Sequence, residues 1–169
     1  MFRRLREIGP ALLIPAAWGT TTAAHLDIVT RRPVFVMHGV MCVLLVAFVG
    51  ASWREMETGV LRTWRRVILA GTPVAFAGLA GFVVPAGSRA LFAVSISGWV
   101  LIPAAGFVST ARQVPAGASI YRGGATLCVL GAVLYASGTV FGYGALSIAG
   151  LGSVAVGQTA GILDAVLRY

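Results

Sequence analysis

The chain has 169 residues, 58% of them hydrophobic and 11% charged, with a mean hydropathy of +0.90. A soluble domain carries about 25% charged residues. The composition therefore excludes a soluble enzyme, a disordered tail, a coiled coil and a disulfide-stapled secreted module, and it predicts an all-α integral membrane protein. All 13 basic residues are Arg, and there is no Lys and no Asn. No Schiff base to a Lys amine and no N-glycosylation site is then available. The formal charge of +8 flanks apolar runs, so it is read as membrane orientation and contact with anionic lipid headgroups, with no nucleic-acid partner expected.

Six apolar runs approach the roughly 20 residues that span a bilayer: 8–29, 33–52, 67–86, 90–111, 123–142 and 145–167. The first follows Arg3, Arg4 and Arg6, with Glu7 four residues after Arg3, and contains Pro15 and Trp18. Thr22-Ala23-Ala24 resembles a cleavage site, but the run is read as a retained helix. Trp18, Thr21, Thr22 and His25 share one helical stripe, and Asp27 precedes Arg31 at pairing distance. The second run carries a corresponding stripe of His38, Met41, Cys42 and Leu45. Counting 1.5 Å per residue puts His25 and His38 at matching depth, roughly 7–9 Å below the outer surface.

Residues 53–66 hold Trp53 and Trp64 among four Arg and read as a cytoplasmic loop at headgroup level. The fourth run contains Ser95, Ser97, Trp99 and Pro103, the fifth contains Cys128, and the sixth contains Gln158, the polar group most in need of a partner. Gly138-x-x-x-Gly142 and Gly157-x-x-x-Gly161 predict close helix approach. Asp164 lies four residues before Arg168, so no carboxylate is stranded at mid-depth.

With both termini cytoplasmic, ten Arg lie inside and Arg31, Arg32 and Arg89 outside; the opposite orientation inverts that ratio. The chain reads as a single polytopic domain over 1–169. Leu13–Ala24 and Leu101–Arg112 match at seven of twelve positions, and Gly39–Ser52 and Gly124–Ser137 at five of fourteen. Halves 1–86 and 87–169 are thus candidates for a three-plus-three inverted repeat, with Pro15 and Pro103 in equivalent kinks.

Three functions remain open. The favoured one is a channel or uniporter for a small neutral solute, its path formed by Pro15, Trp18, Trp99, Pro103 and Gln158, in a homo-oligomer or larger membrane complex. The second is a redox or metal-binding subunit that holds haem b between His25 and His38, or copper with Met41 and Cys42 as added ligands. The third is an accessory membrane subunit with no site of its own. No Ser-His-Asp set, HExxH or P-loop supports an enzyme.

Overall fold

The computed structural model describes the backbone of residues 2–168 and the side chains of residues 12–168. The expected Glu7–Arg3 pairing lies outside the described side chains. Six helices fill the described chain: α1 (Phe2–His25), α2 (Arg31–Ser52), α3 (Gly59–Val83), α4 (Ser88–Gln113), α5 (Ala118–Phe141) and α6 (Gly144–Arg168). Helices α2 to α6 are long and apolar enough to cross a membrane. In α1 the polar run Thr20-Thr21-Thr22 and His25 dilute the apolar residues.

Helix boundaries depart from the apolar runs where local chemistry overrides hydropathy. Helix α3 begins at Gly59, so Arg62, Arg65 and Arg66 ride its first two turns instead of a loop. Arg is a good helix former and extends a helix beyond its apolar stretch. At the other end of the bundle α1 stops at His25, earlier than its run. Asp27 takes a positive φ of 55°, while the Ile28 and Asp27 amides donate to the Ala23 and Ala24 carbonyls at 2.9 and 3.3 Å. This is a Schellman-type stop in which Asp replaces the usual glycine. Arg31 does not pair with Asp27. It donates to the Gly81 and Phe82 carbonyls at 3.2 and 3.1 Å and lies over the Phe82 ring, capping the end of α3.

The helices pack in the order α2–α3–α4–α5–α6–α1. Helices α5 and α6 make the most extensive contact, while α1 and α2, joined by a short turn, barely touch. The α5/α6 seam is a row of glycines. A methyl on Gly124 would lie 2.8 Å from the Gly157 carbonyl oxygen, and one on Gly131 would lie 2.6 Å from that of Gly150. A methyl on Gly138 would strike Ser147. The pairing positions on α5 recur every seven residues, so the seam follows a heptad rather than the expected four-residue spacing. Gly142 instead ends α5 with φ 74°, and Gly161 makes room for the Phe107 ring. The buried core centres on Phe107, Tyr121, Cys128, Leu151 and Val154 from α4, α5 and α6, with Trp18 entering from α1.

Candidate functional site

Near the middle of α4 the sequence creates an unpaired acceptor. Pro103 has no amide proton, so the Trp99 carbonyl four residues earlier loses its helical donor. Gln158 of α6 supplies one: its Nε2 donates to the Trp99 carbonyl at 2.8 Å. The other end of the same amide accepts from Trp18 Nε1 of α1 at 2.9 Å. One side chain, 3% exposed, thus ties α1, α6 and α4 together, and the Cys128 thiol of α5 lies against it. The Cys128 thiol takes up part of the hydrogen-bonding capacity that the amide keeps beyond these two bonds. The Trp99 ring itself turns toward α3, where Gly71 leaves the space it fills, and its Nε1–H is buried without a partner.

Of the residues expected along a solute path, the structure gathers Trp18, Trp99, Pro103 and Gln158 into this one linkage. Pro15 lies one turn from Trp18. Both line an open groove of about 670 Å³ between α1 and α6, with Gly19, Thr22, Thr159 and Ala160 among its other walls. Most of that lining is small or apolar, and Trp18, which donates to Gln158, is part of it.

The two histidines are engaged separately. His25 Nδ1 lies 2.8 Å from the Thr21 carbonyl, and Nε2 lies 2.9 Å from the Tyr135 hydroxyl of α5. A carbonyl only accepts, so Nδ1 carries a proton and donates to Thr21, which leaves Nε2 to the Tyr135 hydroxyl. His38 Nε2 donates to the Ala75 carbonyl of α3 at 2.8 Å. Gly78 leaves space that both the His38 ring and the Ser95 hydroxyl enter, since a methyl there would clash with each. Cys42 is buried one turn from His38, and Met41 is half-buried. Among the described residues, no group of three His, Cys, Asp or Glu side chains comes together as a ligand set.

Tyr135 and Gly78 were missed in the sequence. Tyr135 is the one tyrosine well inside an apolar run, which is the signal that could have marked its hydroxyl as seeking a side-chain partner. Asp164 and Arg168 form the expected ion pair. Gly117, with φ 82°, accommodates the Asp164 carboxylate where a methyl would lie 2.6 Å from Oδ2. Compared with known proteins, the chain matches no family model, no curated sequence and no solved structure.

Proposed function

We propose that the chain is a multi-pass membrane protein, both termini cytoplasmic, that gives a small neutral solute a path across the bilayer. Its outward face supports insertion: only 6 to 39% of each of the five apolar stretches is buried, and a water-facing protein rarely exposes so much contiguous apolar surface. Arg placement supports the orientation.

The observation that carries the transport reading is the Trp18–Gln158–Trp99 linkage beside the α1/α6 groove. A proline-freed carbonyl and the amide that claims it lie at mid-helix, where interrupted helices commonly hold a substrate. In this proposal a second copy of the chain packs across the groove and closes its outer wall. The proposed inverted repeat has partial support from packing. Exchanging the halves maps α1·α6 onto α3·α4 and α2·α3 onto α5·α6, although α1·α2 lacks the close packing of α4·α5. The haem or copper alternative draws less support, because each histidine already bonds a different helix.

Reconstituted vesicles containing the full chain should take up glycerol or urea faster than protein-free vesicles, as read by light scattering after an osmotic step. Gln158→Leu should remove most of the gain. Equal rates with and without the protein would overturn the proposal.

A further inference from the structure

At the bundle end that holds the start of α3 and the end of α4, a polar junction joins the two helices. Gln113 Nε2 donates to Thr63 Oγ1 at 2.9 Å and to Ser109 Oγ at 3.2 Å, and the Thr63 and Ser109 hydroxyls lie 3.3 Å apart. This contact fixes the rotation of both helices. Since the helices are antiparallel and Thr63 faces Ser109, helical geometry places Arg62 and Arg66 of α3 on one flank of the junction, and Arg112 of α4 on the same flank. Trp64 and Val67 take the opposite flank, where they pack against Phe107 and Gly106. The three Arg are exposed, and among the described residues none of their guanidinium groups has a hydrogen-bond or ion-pair partner.

The same flank continues along the bundle as two apolar stripes. On α3, Leu69, Pro73 and Phe76 follow Arg66 at helical spacing, all exposed. On α4, Leu101, Ala105 and Val108 lead up to Arg112, also exposed. Three guanidinium groups therefore head a long apolar lane between two helices.

We propose that this flank binds one anionic phospholipid, its headgroup phosphate held by Arg62, Arg66 and Arg112 and its acyl chains laid along the α3/α4 lane. Guanidinium forks match phosphate oxygens. The apolar lane selects a lipid over free phosphate, which has no use for it. The proposal rests on the membrane-spanning reading but not on solute passage. Lipid retention and solute flux are separate measurements and fail independently.

Native mass spectrometry of the purified full chain in mild detergent tests it, with phosphatidylglycerol, phosphatidylcholine of the same chains, and inorganic phosphate as probes. One phosphatidylglycerol should be retained under conditions that strip phosphatidylcholine, and inorganic phosphate should not displace it. Arg62→Gln, Arg66→Gln or Arg112→Gln should each weaken retention about fivefold, and the triple variant about a hundredfold. Arg32→Gln with Arg89→Gln, at the opposite end of the bundle, should leave retention unchanged. Should the triple variant not fold, the single variants and the triple Arg→Lys variant, which keeps the charge, decide the matter. Equal retention of the two lipids, unchanged retention in the Gln variants, or displacement by inorganic phosphate would each overturn the proposal.

Discussion

A proline leaves one carbonyl to be claimed by something else, and at Pro103 the claimant is Gln158 of α6. This predicts a specific non-additivity. Gln158→Leu strands the Trp99 carbonyl and the Trp18 indole and should lower the unfolding free energy in detergent by about 1–3 kcal/mol. In a Pro103→Ala background the restored amide proton satisfies the Trp99 carbonyl within α4, so the further loss on Gln158→Leu should be clearly smaller. Denaturant titrations of the four proteins, followed by circular dichroism, measure the coupling. Purely additive losses would show that Gln158 does not compensate for the proline. Part of this site was legible in the sequence: Pro103 stood out as a proline inside an apolar run, and Gln158 as a group needing a partner. Their direct connection was not, because it depends on how far α6 is rotated against α4, which no local pattern encodes. The histidine stripes illustrate the same limit. Matching depth was an expectation from run lengths, but α1 already ends at His25 whereas His38 lies about two turns inside α2, and His25 finds Tyr135 rather than His38.

Helices α5 and α6 approach until backbone meets backbone, and their glycines are not equivalent. Gly131→Ala or Gly150→Ala pushes a methyl to 2.6 Å from a carbonyl of the facing helix, which only separation of the helices relieves. Each should cost more than about 2 kcal/mol, in the range of overpacked cores. Gly152, also on α6, has open space where its methyl would go. Gly152→Ala should be neutral or stabilising by up to about 1 kcal/mol, since alanine suits a helix interior better. Thermal unfolding of the three variants in one detergent makes the comparison, and equal losses would mean that the seam is not where stability lies. At this scale the apolar runs announced the helices, but hydropathy could not see where charged residues prolong one, as at the start of α3. Nor could a four-residue glycine motif show which glycines pair. The structure divides those four between seam, turn and ring contact.

Six helices in alternating directions place the turn at Gly87 and Ser88 on the face opposite the α2–α3 and α4–α5 connections. Cysteine substitutions at Gly87 and Ser88, probed with a membrane-impermeant thiol reagent on intact cells, should label from outside, whereas Arg54→Cys should label only after permeabilisation. The reverse pattern would invert the orientation derived from Arg placement. The native thiols give little background because Cys42 and Cys128 are both buried. The even helix number and the Arg asymmetry were readable before any packing was known. The packing order was not, because α1 and α6 are distant in sequence.

That order has a consequence for how the protein is made. The main neighbour of α1 is α6, although its nearest neighbour in sequence is α2. Helix α1, the most polar of the six in its described part, leaves the ribosome first and must wait while five more helices are synthesised. Only then does α6 bring the Gln158 amide that receives Trp18. Until that moment α1 has only the His25–Tyr135 bond to α5 and a slight contact with α2, so a nascent chain stalled before α6 lacks the main surface against which α1 packs.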